Sequence, residues 1–188
     1  MSIIVDDPAA EIAERVRKER ERRGWSLADL AARSGVSKAM LSKIEREEAS
    51  PTAVILLRIA TAFGLTLAEM LAPCAAGPQR LLRAADQPQW RDPETEYLRR
   101  QVFQSADFPM ELVEVHLPPG ARVGFPASSY ALIRQVVWVL SGRLEIRDGA
   151  ETFTLKTGDR LAFGPPADSE FRNTADKDCR YLVAVLRR

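Results

Sequence analysis

The hydrophobic pattern of this chain changes period near residue 75, and that change sets the fold class before any motif is read. Up to that point apolar residues recur at helical spacing: Ile12 and Val16; Leu27, Leu30 and Ala31; Leu41 and Ile44; Leu56, Ile59, Ala60 and Phe63. Beyond it, short alternating runs are separated by PPG, SG, DG, TGD and GPP, the turn chemistry that joins strands. At 188 residues there is chain enough for two small cores. The pattern predicts a multidomain α + β protein, with a helical domain over 1–72 and a β-rich domain over 80–188. The stretch APCAAGPQ (72–79), small, Pro- and Gly-bearing and aperiodic, marks the linker, taken as 73–79.

No apolar run approaches the ~20 residues that cross a bilayer, so no membrane partner is expected. The N-terminal MSIIVDDPAAEI carries acids where a secretory signal is basic, and a cytoplasmic location is expected. Cys74 and Cys179 lack any paired spacing, which argues against a disulfide framework or a structural zinc site. The net charge of +1 is uninformative, but from Arg15 to Arg46 there are ten Lys or Arg against four Asp or Glu. A basic stripe in the first third suits nucleic acid.

Five helices are legible in the first domain. One runs from about Pro8 to Arg23 and stops at Gly24. Ser26 caps the second, Asp29 stands in the reach-back position of a capping box, and Gly35 follows its end. Ser37 caps the third, which runs to about Arg46. Ser50-Pro51 is read as the opening of the fourth, ending at Gly64, and Thr66 caps a short fifth. The second and third are joined by SGV alone, the pattern of a helix-turn-helix whose second helix enters the DNA major groove. Leu41 and Ile44 must pack inward, which leaves Lys38, Ala39, Ser42, Lys43 and Arg46 outward.

The run RGWSLADLAARSGVSKAMLSKIEREEASPTAVILLRIATAFGLTLAEML resembles the five-helix DNA-binding domain of the xenobiotic-response-element (XRE) and phage-repressor class. The resemblance covers Arg23 to Leu71. It implies base contacts at Lys38, Ala39 and Lys43, with Met40 available for a thymine methyl, and phosphate contacts at Ser37, Ser42 and Arg46. Leu27 stands where that class often has a polar phosphate contact, and Glu47 where it often has Gly. A left-handed backbone at Glu47 would cost about 1 kcal/mol.

After residue 80 about ten short strands are expected, among them LLRA, YLRRQVF, ELVEVHL, QVVWVL, RLEIRD, TFTLK, DRLAF, EFRN and CRYLVAVL. The spacing from VVWVLSGRLEI to LKTGDRLAFGPP, with Gly142, Gly158 and Asn173, resembles the two motifs of the cupin jelly-roll barrel, a fold that many bacterial regulators join to a repressor-type head. Metal-binding cupins supply two His and one Glu from the first motif and one His from the second. Here the Glu position holds Gln135. The first two His positions hold Ser129 and Ala131, or Ser128 and Tyr130 if the spacing slips by one, and the last holds Ser169. No His, Asp, Glu or Cys occurs from Leu117 to Leu144. His116, the only histidine, falls by alternation on a face with Glu114 and Leu112, away from Val113, Val115 and Leu117. No metal and no cofactor is expected.

With Gln135 inward, Val137 and Val139 are inward too and Trp138 faces out. Two readings stay open. One is an effector pocket lined by Tyr130, Gln135, Val137, Val139, Ser169, Phe171 and Asn173. The other is a filled barrel that only dimerises, with Trp138, Phe103 and Phe108 as contacts. The expected function is a DNA-binding transcriptional regulator, a homodimer on palindromic double-stranded DNA with reading helices ~34 Å apart, responsive to a small molecule. Residual enzyme activity is the rival. It lacks a paired acid and base, since Asp168 and Glu170 flank Ser169 without an evident partner. A further rival is a head that partners another protein in the manner of an antitoxin.

Overall fold

The computed structural model describes residues 8–71, 80–105 and 108–187. The chain forms two compact units that divide between Pro88 and Gln89. The expected linker 73–79 lies outside the described residues. Among those that are described, no helix is long and apolar enough to cross a membrane.

The first unit is helical: α1 (Pro8–Arg22), α2 (Leu27–Ser34), α3 (Lys38–Glu45), α4 (Ala53–Phe63) and α5 (Leu67–Leu71). Local chemistry sets the helix ends. Ser26 and Asp29 form a reciprocal capping box, and Ser37 Oγ accepts from Met40 N at 3.2 Å. Thr66 and Glu69 repeat the box, with Glu69 Oε2 accepting from Thr66 N at 2.7 Å. The fourth helix corrects the sequence reading. Its cap is Thr52, whose hydroxyl accepts from Ile55 N at 3.4 Å, so Pro51 stands before the cap and not inside the helix. Val16, Leu30, Leu41, Ile44, Leu56 and Ile59 make a shared core from which water is excluded.

The second unit is all-β, with every strand pair antiparallel. Its strands are β1 (Gln89–Arg91), β2 (Leu98–Gln104), β3 (Met110–Leu117), β4 (Arg122–Phe125), β5 (Ile133–Ser141), β6 (Arg143–Asp148), β7 (Glu151–Lys156), β8 (Arg160–Ala162), β9 (Ser169–Arg172) and β10 (Cys179–Arg187). They build a six-stranded sheet in the order β1-β2-β3-β10-β5-β8 and a four-stranded sheet in the order β4-β9-β6-β7. The two inner faces meet where Phe171 of β9 stacks on Tyr181 of β10, ring centroids 5.8 Å apart. LLRA forms no strand: Leu81 is exposed, and Ala84 begins a single 3-10 turn. The strands β1 and β4, which the sequence reading lacks, take its place.

Along β5 burial alternates cleanly, with Gln135, Val137 and Val139 inward and Val136 and Trp138 outward. The turn from β5 to β6 requires glycine. At Gly142 φ is +89°, and a Cβ there would lie 2.8 Å from the Asp178 carbonyl oxygen.

Candidate functional site

In the helical unit, α3 presents the face that the sequence predicts. Ser37, Lys38, Ala39, Lys43 and Arg46 are exposed, Met40 and Ser42 are half-buried, and Leu41 and Ile44 are buried. The helix is held from behind by a contact that sequence reasoning missed. Arg20 of α1 grips Glu45 with two bonds, Nε to Oε1 at 2.7 Å and Nη2 to Oε2 at 2.8 Å, and gives a third to the Trp25 carbonyl at 3.0 Å. A bidentate guanidinium–carboxylate pair fixes orientation as well as distance. Beyond α3 the chain turns through Glu47, whose φ is +62°, so the left-handed backbone expected for a glycine is carried by a glutamate.

Much of the basic stripe turns out to be structural. Arg15, Arg22 and Arg23 gather round Glu19, and Lys18 reaches Glu14 at 2.6 Å. Arg23 also donates to the Phe63 carbonyl at 2.7 Å and lies over the Phe63 ring, which stacks on Trp25. A cation at the last carbonyls of α4 satisfies acceptors that the helix leaves open. Arg46 pairs with Glu48 at 2.9 Å, an exposed contact that water and salt weaken. Among the described residues Lys38 and Lys43 pair with no acid. Those two lysines are the open charges of the α3 surface.

In the barrel, the residues expected to line a pocket are all buried. Tyr130 meets Ser169 through a short hydroxyl contact, and its ring opens a stack that continues through Phe163, Phe171 and Tyr181, each step 5.8 Å between centroids. Burial pushes the Tyr130 and Tyr181 phenols well above their ordinary range, so both stay neutral donors. Gln135 lies within reach of the Tyr130 hydroxyl, and its Nε2 is buried without a well-formed hydrogen bond. Asn173 stands apart from this group in its bonding. Its Nδ2 donates to Leu117 O and Lys177 O, both at 2.8 Å, and its Oδ1 accepts from Ala175 N at 3.0 Å. That carboxamide is spent on holding a loop. Asp168 is also engaged, accepting from Ala127 N at 2.8 Å.

The positions that carry metal ligands in the cupin pattern hold Gln135, Ser169 and the 128–131 stretch, none of which offers an imidazole or carboxylate. Among the described residues no group of three or more His, Cys, Asp or Glu could hold a metal ion. His116 lies on the outer face with Glu114, Nε2 to Oε1 at 3.1 Å. There Glu114 is enclosed by Arg100 of β2 and Arg180 of β10. Burial pushes its carboxyl up, but hydrogen bonds from the two guanidinium groups outweigh that and hold it at about 2. Burial pushes the Cys179 thiol up to about 11, which leaves it protonated and inert. Sequence reasoning missed three inward polar side chains. Arg99 and Gln101 of β2 lie opposite the inward Val115 and Val113, and Glu111 of β3 lies in the row of Val185 and Gln135.

A helix-turn-helix with an open basic face, followed by a jelly-roll barrel, defines a class, and comparison with known proteins agrees. Residues 16–70 match the family described as helix-turn-helix, and residues 113–185 match the cupin domain family. The chain is a DNA-binding transcriptional regulator of the XRE-type helix-turn-helix and cupin architecture. It is 28% identical over 172 residues, 88% of this chain and 89% of the relative, to the HTH-type transcriptional regulator SutR of Escherichia coli strain K12. In fold it is similar to a helix-turn-helix (HTH_3) family transcriptional regulator from Vibrio cholerae, with TM-score 0.79, 24% identity, and 96% and 97% of the two chains covered. The barrel also shares its fold with a predicted oxalate decarboxylase from Thermotoga maritima, with TM-score 0.51, 14% identity, and 57% of this chain and 99% of that one covered.

Proposed function

We propose that this regulator reads a palindromic operator as a homodimer, with α3 in the major groove and the barrel sensing a small molecule. The observation that carries the reading is the division of charge in the head. Most α1 cations are bound to neighbouring acids or carbonyls, whereas Lys38 and Lys43 stand open on the exposed face of α3. In the proposed complex Lys38, Ala39 and Lys43 meet base edges and Met40 a thymine methyl. Ser42 and Arg46 take phosphates, and Ser37 contributes through the helix end that it caps.

The test is binding to an operator selected in vitro from random duplexes. Lys38→Ala and Lys43→Ala are each expected to weaken operator binding by about 1–3 kcal/mol with loss of sequence preference if they touch bases, or to lower the salt slope by about one if they touch phosphate. Wild-type binding by both variants would mean that α3 is not the reader.

In the barrel we assign sensing and not catalysis, acting in the cytoplasm. Gln135 and Ser169 replace metal ligands, and Asp168, next to Ser169 in the chain, is spent on a backbone amide. The pocket is formed by Tyr130, Gln135, Val137, Val139, Ser169 and Phe171, with Asn173 anchoring the loop behind them. The expected result in thermal melting is no response to chelator or divalent metals, and a rise with the effector, because a ligand of the native state must stabilise it. The stacked rings favour the second reading, in which the barrel is filled and only dimerises. Under that reading no small molecule would shift the melt.

A further inference from the structure

We propose that the barrel takes a small organic oxyanion, its head held by the Arg99 guanidinium and its far end accepting a hydrogen bond from Gln135 Nε2. The proposal rests on the sensor reading of the barrel and names the chemical class of its ligand.

The first observation is an arginine on the inner face of a barrel. Arg99 stands opposite Val115, Val115 opposite Tyr181, and Tyr181 opposite Val139, so the four form one inward row across β2, β3, β10 and β5. Val115, Tyr181 and Val139 are buried, and Arg99 is half-buried. Its contacts are a long one to Gln101 Oε1 at 3.5 Å and a hydrogen bond to the Tyr97 phenol. Among the described residues it pairs with no carboxylate. Its neighbour Arg100 makes the contrast: on the opposite face of the same strand, it is neutralised by Glu114. A guanidinium brought out of bulk water without a counter-charge is a receptor for a planar or tetrahedral oxyanion, which it can grip with two parallel bonds.

The second observation is independent. Gln135 is 9% exposed and its Nε2 has no hydrogen-bond partner. A buried amide donor left open calls for an acceptor from outside the chain. Polarity follows from the charges at the two ends: Glu111, inward in the row of Gln135, already holds Arg187 at 3.8 Å, whereas among the described residues Arg99 holds no carboxylate. The cation near Gln135 is thus already taken and the one at Arg99 is not, so the charge belongs at Arg99 and a neutral acceptor at Gln135. Between the two ends lie Val113, Val137 and Tyr181, an apolar path for the body of the ligand.

The experiment is calorimetric titration of the full-length protein with benzoate, benzenesulfonate, phenylphosphonate, 4-acetylbenzoate and the neutral analogue benzamide. The anions are expected to bind at least tenfold more tightly than benzamide, their ranking identifying the preferred head group. Arg99→Gln is expected to reduce them to the benzamide level, Arg99→Lys to keep a weaker preference, and Arg100→Gln to change nothing. The acetyl group is expected to tighten binding to the wild type but not to Gln135→Leu. Equal binding of anions and benzamide, no binding of any anion, or an undiminished preference in a folded Arg99→Gln would overturn the proposal. Operator affinity measured beside each titration separates the two readings: anion binding through Arg99 with no change at the operator leaves the pocket standing and removes the sensor role.

Discussion

Glu114 shows how one side chain can make barrel stability depend on pH. Two guanidinium groups hold its folded carboxyl at about 2, below an ordinary value of 4.5. A carboxylate with a depressed folded pKa stabilises the fold above its unfolded pKa, and that contribution is lost as pH falls through the folded one. The loss should therefore run from about pH 4.5 to about pH 2. The full shift is worth at most about 3 kcal/mol at pH 7, less the screening that reaches the pair through half-exposed Arg180. Glu114→Gln should lower the melting temperature at pH 7 and melt together with the wild type near pH 2, and equal deficits at both pH values would refute the assignment. Arg20 is the matching case in the head. Arg20→Ala leaves the mostly buried Glu45 without its partner and should cost about 2–3 kcal/mol, and a double-mutant cycle with Glu45→Gln should show that most of the loss is shared.

At the scale of elements, prediction from sequence succeeded chiefly where the cause lies within a few residues and one residue alone can supply it. Ser26 with Asp29, Ser37 with Met40, and the alternation of β5 are local, and each was legible. Thr52 was missed because Ser50, Pro51 and Thr52 are all acceptable before a helix, and only the formed turn shows which hydroxyl meets Ile55 N. LLRA and QWR were exchanged because a three- or four-residue strand exists only where a partner edge receives it. The inward rows of the barrel were half legible. Valines at inward positions follow from alternation, but Arg99 and Glu111 run against the expectation that charges point out. Arg20 and Glu45 lie 25 residues apart, beyond any local pattern. Two substitutions test the local devices. Ser37→Ala should cost about 1 kcal/mol through the lost cap while leaving the α3 face intact. Gly142→Ala should cost about 1–3 kcal/mol, because both its backbone angle and the Asp178 carbonyl reject a side chain.

The whole molecule has an outer barrel face that suits a second copy. On the six-stranded sheet Val136, Trp138 and Leu186 share one outward face, 36%, 49% and 50% exposed, in rows continued by Leu182 and Ala184 of β10. A twofold interface uses the same patch on both partners, which is what a palindromic operator needs. Sedimentation should give a dimer at micromolar concentration, and Trp138→Lys should shift it to monomer and weaken operator binding in parallel. A wild-type monomer with and without operator would count against the proposed dimer.

The grip of Arg20 on Glu45, together with Leu41 and Ile44 beneath it, has a consequence for how such a protein can change its targets. The groups that seat the reading helix are different residues from those at Lys38, Ala39 and Lys43 that face outward. Substitutions at the second set leave the first untouched, so address and mounting can vary separately. A library randomised at residues 38, 39 and 43 alone should yield folded heads with new operators, and the same library on an Arg20→Ala background should yield fewer.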